Sequence, residues 1–293
     1  MPEEVRACPL CGGMASELFD KREFRKTPVV NRLCTSCGLV YQSPRMTEDE
    51  LESFYEAEYR RLYQGDEGPT AKDLAIQERR AESLCGFFRG RDLHLSRHLD
   101  IGCSSGMLLK RFRYEFGSQP VGVEPGEAYR AHAQGQDIAV YASLDEARVS
   151  GEAAFDLVSL IHVLEHLPDP VGYLVEIRQR ELSGSGWLLL EVPNLYAHDC
   201  FEVAHLVSFS PHTLTQVVEK AGYELVALEP HGRPRSELIP LYLTLLARPG
   251  QDLQGGAEFR VHAENGVKTR RWLGMLRRRL VTRLFPSRAW LPY

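Results

Sequence analysis

The sequence predicts an α/β fold, an open sheet of mainly parallel strands with helices on both faces, preceded by a small metal-bound ribbon. Three observations lead there. Short apolar runs alternate with helical stretches from residue 97 to 248. Cys8, Cys11, Cys34 and Cys37 form two C-x-x-C pairs near the start. With 43% apolar residues in 293, the chain can bury one full-sized core with smaller attachments.

Composition narrows the function classes. No run approaches the roughly eighteen apolar residues of a membrane span, and "MPEEVRACPL" is acidic where a secretion signal is basic and then apolar. A cytoplasmic protein is expected. Residues 268–288 carry eight cations, Lys268, Arg270, Arg271, Arg277, Arg278, Arg279, Arg283 and Arg288, and no acid. The net charge of −5 therefore resolves into +8 in this tail and −13 elsewhere. An acidic body argues against a broad nucleic-acid footprint and directs any contact with anions to the C-terminus.

The first segment, residues 1–45, reads as a zinc ribbon. In "CPLCGG" and "CTSCGL" each cysteine pair forms a tight turn, and Gly12, Gly13 and Gly38 follow where the chain bends sharply. Four thiolates leave no open ligand position, so Cys8, Cys11, Cys34 and Cys37 predict a structural Zn²⁺ that supplies the stability a forty-residue module lacks. Residues 46–95 follow as a helical linker. Thr47 and Glu50 make a capping box, Leu51, Phe54, Tyr55 and Leu62 have helical spacing, and Tyr55, Tyr59 and Tyr63 share a face that packs or serves as a lid. A loop, "GDEGPT", separates this helix from a second at 71–89.

Residues 96–250 carry the sheet. Strands are expected at 97–101, 120–124, 137–141, 154–160, 186–191, 223–229 and 240–247. The first ends in Asp100, and "GCSSG" follows, where Gly102 and Gly106 let the backbone approach a ligand and a helix starting at Ser105 offers free N–H groups. The second ends in Glu124, a carboxylate able to accept both hydroxyls of a ribose. Ser210, Pro211 and Gly222 mark the cap, first turn and stop of a late helix.

"FDLVSLIHVLEHLPDP" contains H-x-x-E-H, which as a bare pattern is a metalloprotease signature. The protease reading fails because a buried strand leads straight into His162, and Pro168 and Pro170 stop any long helix. The last segment, 251–293, ends in a basic amphipathic helix with Trp272, Leu273, Leu276, Leu280 and Leu284 on one face. Such a helix can lie on anionic lipid at the inner face of a membrane, pack on the acidic body, or meet a dimer partner.

Taken in order, "DIGCSSG", "VGVEPG", "FDLVSLIHVLEHLPDP" and "LLLEVPN" resemble the motif series of class I S-adenosylmethionine-dependent methyltransferases over residues 75–248. The resemblance implies a Rossmann-like seven-stranded sheet whose last strand is antiparallel. It implies S-adenosylmethionine as cofactor, with Asp100, Gly102, Cys103 and Gly106 at the methionine end, Glu124 on the ribose, and Pro125, Ser143 and Leu144 around the adenine. His162 would then stand beside the transferring methyl. Either His162 is a general base, or His162, Glu165, His166 and His205 gather a second divalent metal, or the segment only holds the turn. The metal arrangement resembles ubiquinone-pathway and small-RNA 2′-O-methyltransferases, which carry Glu-x-x-Glu-His here; His162 replaces the first glutamate.

The four-cysteine ribbon ahead of such a domain resembles bacterial methyltransferases of sugars and glycans. O-methylation of a small-molecule or glycan hydroxyl is expected. The alternatives are C-methylation of a keto-sugar, an RNA methyltransferase holding nucleic acid through the ribbon, and a non-enzymatic binding module.

Overall fold

The computed structural model describes residues 3–47, 50–51, 68–91, 93–250 and 259–292, so the helix read at 47–63, with Tyr55, Tyr59 and Tyr63, lies almost wholly outside the described residues. In chain order the elements are β1 (Ser16–Phe24), β2 (Thr27–Cys34), β3 (Val40–Gln42), α1 (Ala71–Phe88), β4 (Arg97–Ile101), α2 (Met107–Phe116), β5 (Gln119–Val123), α3 (Glu127–Gln134), β6 (Ala139–Tyr141), α4 (Leu144–Val149) and β7 (Phe155–Ile161). A single 3₁₀ turn (Leu164–His166) follows, then α5 (Pro170–Arg180), β8 (Leu182–Pro193), β9 (Val207–Ser208), α6 (Pro211–Lys220), β10 (Tyr223–His231), β11 (Tyr242–Pro249), α7 (Val267–Leu284) and α8 (Pro286–Ala289).

Seven strands form one mixed sheet in the order β10-β11-β8-β7-β4-β5-β6. β4 runs parallel to β5 and to β7, β5 parallel to β6, and β10–β11 is an antiparallel hairpin. This is the α/β sheet expected from the sequence. The chain leaves β4 toward β5 and β6, then returns to place β7 on the other side of β4, which makes the β4 end the topological switch point. β7 has Leu157, Val158 and Leu160 fully buried on alternating faces, as an interior parallel strand requires.

The chain makes two compact units, one of residues 1–47, 162–178 and 190–291, the other of residues 48–161, 179–189 and 292–293. In the second unit, Phe88 of α1 packs against Phe112 and Phe116 of α2, with buried His98 against Phe112. In the first, β1, β2, β3 and β9 form a separate four-stranded sheet. Its Leu33 and Val40 share an apolar cluster with Leu195, Phe201 and Val267, so the cysteine-bearing strands draw core from much later segments. The capping of α6 follows its sequence: the Ser210 side chain accepts the Thr213 N–H and Pro211 takes the first turn.

Candidate functional site

In the second unit β4 and β5 end side by side at Ile101 and Val123, so residues just beyond them share one edge of the sheet. Asp100 and Glu124 are each 3% exposed. The Asp100 carboxylate accepts the Ser159 hydroxyl at 2.6 Å. Burial, opposed by that bond and reinforced by the charge of Glu124, pushes the Asp100 pKa up to about 7. Glu124 accepts the Ser104 N–H at 2.9 Å through Oε2 and the Gly126 N–H at 2.8 Å through Oε1.

The loop after β4 turns through positive φ at Gly102, Ser104 and Gly106. At Gly106 an added Cβ would meet Ile138 Cδ1 at 2.9 Å and Ala133 Cβ at 3.1 Å, so this glycine also lets α2 begin close against α3. Cys103 belongs to a buried cluster with Leu109, Ala133, Ile138 and Val140. Its side chain serves the core, and its backbone alone borders the loop. The expectation of free N–H groups at a helix starting at Ser105 is corrected: α2 starts at Met107, and both the N–H and the hydroxyl of Ser105 go to Gln77 Oε1. Gln77 Nε2 also donates to Ser104 Oγ at 3.1 Å. Nothing in the periodicity of α1 separates this loop-bracing glutamine from a solvated one. Pro125 is exposed, Ser143 caps α4 by accepting the Glu146 N–H at 3.1 Å, and Leu144 is half-buried at the first turn of that helix.

In the first unit the H-x-x-E-H residues lie on and before the 3₁₀ turn, not on a long helix, and Pro170 opens α5. His162 directly follows β7 in the chain and adopts φ 56°, a region costly for a side chain with a Cβ. Its N–H donates to the Glu191 carbonyl at 2.8 Å. Its Nδ1 lies 3.1 Å from Glu165 Oε1, its Nε2 3.2 Å from Glu191 Oε1, and its ring stands edge-on to Tyr242.

Glu165 is fully buried. Burial raises its pKa, but the His162 hydrogen bond and the charges of His162, His166 and His205 outweigh that and bring it to about 2. An ionised carboxylate only accepts, so His162 Nδ1 carries a proton toward Glu165. Among the described residues Nε2 makes no hydrogen bond. Buried Glu191 accepts the Thr244 hydroxyl at 3.1 Å through Oε2, which lies 3.2 Å from His231 Nε2.

The other Glu165 oxygen, Oε2, is buried with no hydrogen-bond partner among the described residues. One ligand atom from each of Glu165, His166 and His205 falls within 4.8 Å of the others. His166 Nδ1 donates to the Ala204 carbonyl at 2.9 Å and His205 Nδ1 to the Cys200 carbonyl at 2.8 Å, so Nε2 is the nitrogen of each ring that could ligate a cation, and that of His205 lies against Glu202 Oε1. Burial brings the His166 pKa down to about 4 and keeps it neutral. Burial also opposes the charge on His205, but Glu202, 2.7 Å from Nε2, raises its pKa overall. The structure thus gathers Glu165, His166 and His205, with His162 bound to them through Glu165. Sequence reading missed Glu202, Glu191, His231 and Thr244. For Glu191 a signal existed, a lone charge inside the apolar run "LLLEVP".

The four N-terminal cysteines also converge, with Cys8 Sγ 3.6 Å from Cys37 Sγ and Cys11 Sγ 3.5 Å from Cys34 Sγ. Tetrahedral thiolate ligation of zinc separates sulfurs by about 3.8 Å. Each pair sits in the same turn, with the Gly12 N–H donating to the Cys8 carbonyl and the Gly38 N–H to that of Cys34. Hydrogen bonds from its neighbours hold the Cys34 thiol low, and that negative sulfur pushes Cys8 up to about 12 and Cys37 higher still. Four sulfurs this close cannot all ionise without a cation among them, so the set fits a structural metal.

Comparison with known proteins places the fold. Residues 73–228, just over half of the chain, match a family described as a methyltransferase domain. Two curated proteins, ubiquinone biosynthesis O-methyltransferases of Pseudomonas fluorescens (strain SBW25) and Ruegeria sp. (strain TM1040), are 33% identical over 79 residues and 34% identical over 94. These alignments take in 25% and 30% of this chain, and only 34% and 38% of those relatives. Among solved structures, Burkholderia thailandensis 1,6-didemethyltoxoflavin-N1-methyltransferase aligns with TM-score 0.56 and 18% identity over 79% of this chain and all of that one. The putative methyltransferase complex of Haloferax volcanii with the Trm112 activator aligns with TM-score 0.50 and 14% identity over 62% and 94%. At these identities the likeness is one of fold.

Proposed function

This chain belongs to the methyltransferase-domain family that its residues 73–228 match, and from that premise we propose that it methylates a hydroxyl of a small-molecule or glycan-type acceptor with S-adenosylmethionine. The observation that carries the reading is the pair of buried carboxylates, Asp100 and Glu124, at adjacent parallel strand ends by the switch point. When bound, the cofactor supplies an electrophilic methyl group. Glu124 takes the ribose hydroxyls, Asp100 and the Gly102–Gly106 loop take the methionine end, and Pro125, Ser143 and Leu144 border the adenine.

His162 is the general base. Glu165 holds its Nδ1–H, which leaves Nε2, 3.2 Å from Glu191 Oε1, as the nitrogen that takes the acceptor's hydroxyl proton. The aligned curated relatives are O-methyltransferases, which supports oxygen as the methylated atom. A sugar or glycan acceptor rests on the ribbon-plus-domain architecture, with the four cysteines holding zinc. The body's net negative charge outside the basic tail weighs against RNA.

A second reading adds a divalent metal at Glu165, His166 and His205, favoured by the closeness of one ligand atom from each and by Glu165 Oε2, which has no hydrogen-bond partner among the described residues. The metal would hold acceptor oxygens and lower a hydroxyl pKa. The test is calorimetry with S-adenosylhomocysteine, then an acceptor screen with labelled cofactor over nucleotide sugars, glycolipids, phenols and RNA. Unchanged affinity in Asp100→Ala with Glu124→Ala overturns the cofactor assignment, and Mn²⁺ titration of His205→Ala decides the second metal.

A further inference from the structure

α7 has two faces with different tasks. Its inner face is fixed: Val267 is buried in the cluster with Leu33 and Phe201, the Arg271 guanidinium donates to the carbonyls of Leu195 and His198, and Arg278 donates to that of Ala197 at 3.0 Å. Its outer face carries Trp272, Leu273, Leu276, Leu280 and Leu284, exposed by 65%, 51%, 39%, 51% and 66%. At about 100° per residue these five fall within about a third of the helix circumference. A single exposed leucine is ordinary, but five large apolar groups gathered on one face mark a surface that meets something apolar.

The borders of the stripe say what that is. On the same helical projection Lys268 and Arg279 fall along one edge and Arg270 and Arg277 along the other, while Arg283 falls within the arc itself, toward the Lys268–Arg279 edge. No acidic residue occurs from 267 to 289. Lys268 pairs with Glu17 and Arg270 with Glu264, while Arg279 and Arg283 make no ion pair among the described residues. Pairing with α7 of a second copy would set these cationic edges against each other. A nucleic acid would meet the leucines, not the cations. A protein partner is ordinarily selected by charges of both signs; cations alone, on both sides of an apolar stripe, match a continuous anionic plane with an apolar interior.

We propose that α7 seats the protein on an anionic lipid surface, with its axis in the membrane plane, the Trp272–Leu284 stripe at the acyl boundary and the flanking cations among the headgroups. No helix among the described residues is long and apolar enough to cross a membrane, which leaves α7 lying on the surface. The inference does not depend on the methyl-transfer reading, because none of the stripe residues belongs to either proposed site.

The test is co-sedimentation of the full chain with phosphatidylcholine vesicles and with vesicles containing about a third phosphatidylglycerol, at low and high salt. Binding is expected only to the anionic vesicles and is weakened by salt. Leu276→Glu with Leu280→Glu, and separately Arg279→Glu with Arg283→Glu, each lower the partition coefficient about tenfold or more at unchanged melting temperature. Equal binding to both vesicle types, no binding at low salt, or full binding by the variants overturns the proposal. So does a dimer in sedimentation equilibrium that Leu276→Glu dissociates, which assigns the stripe to a second copy.

Discussion

Asp100 is buried with no cationic partner among the described residues, a position in which a carboxylate resists ionisation. Its folded pKa, about 7, lies above the ordinary carboxylate range. The native state therefore holds a proton that the unfolded chain has already lost, and this group's contribution to stability falls as pH rises from the ordinary carboxylate pKa toward about 7. Asp100→Asn removes that dependence and can still accept the Ser159 hydroxyl. The variant is expected to lose less melting temperature than the wild type between about pH 5 and pH 8 in thermal scans. An equal or steeper loss would place the sensitivity elsewhere. Glu165 is the opposite case, a carboxylate held ionised by histidines. Glu165→Gln keeps the shape but removes the charge that fixes His162 Nδ1–H. Once an acceptor is identified, turnover is expected to fall about 10²- to 10³-fold while S-adenosylhomocysteine affinity stays within a factor of about two. Losses confined to affinity would move Glu165 out of the chemistry.

At the scale of elements, the two-residue strand β9 links the cysteine ribbon to the histidine cluster. Val40 pairs with Ser208 and Tyr41 with Val207, the Gln42 N–H donates to the Leu206 carbonyl at 2.8 Å, and the Leu206 N–H donates to that of Glu165 at 2.9 Å. The segment bearing Glu202 and His205 is therefore stitched to the ribbon on one side and to the Glu165 turn on the other. With the four cysteines holding zinc as proposed, its removal by chelation, or by Cys37→Ser, is expected to raise hydrogen exchange at Gln42 and Leu206 by at least about tenfold. Exchange that stays at the metal-loaded rate would mean that the ribbon holds its shape without the ion. This link was not legible in the sequence. β4 and β7 were, because Leu99 and Ile101 run straight into a glycine and Leu157, Val158, Leu160 and Ile161 crowd one short segment. Asp100, Glu124 and the cysteine pairs were legible because their chemistry is written locally. β9 is too short to have a period and exists only through its partner β3, and Glu191 and His231 meet through the pairing of distant strands.

At the scale of the whole molecule, the segregation of charge into an acidic body and a basic tail suggests a detachable appendage, and the packing contradicts that. α7 begins at buried Val267, and a Cβ on Gly274 would fall 1.9 Å from the Tyr196 carbonyl oxygen, so the helix lies directly on that backbone. α8 ends at fully buried Ala289, which belongs to one cluster with Ala197, Ile239, Leu241 and Tyr242. Arg271 donates to two backbone carbonyls, those of Leu195 and His198. Cutting the chain after residue 250 would thus strip the lid from two apolar clusters and remove a donor from those carbonyls, a loss on the order of several kcal/mol against a typical stability of about 5–15. The shortened chain is expected to be insoluble, or to melt at least about 10 °C lower with a broadened transition in calorimetry. A soluble product with unchanged melting would mean that α7 and α8 only rest on the body, whereas the predicted collapse makes the outward stripe of α7 a surface that the fold itself holds in place.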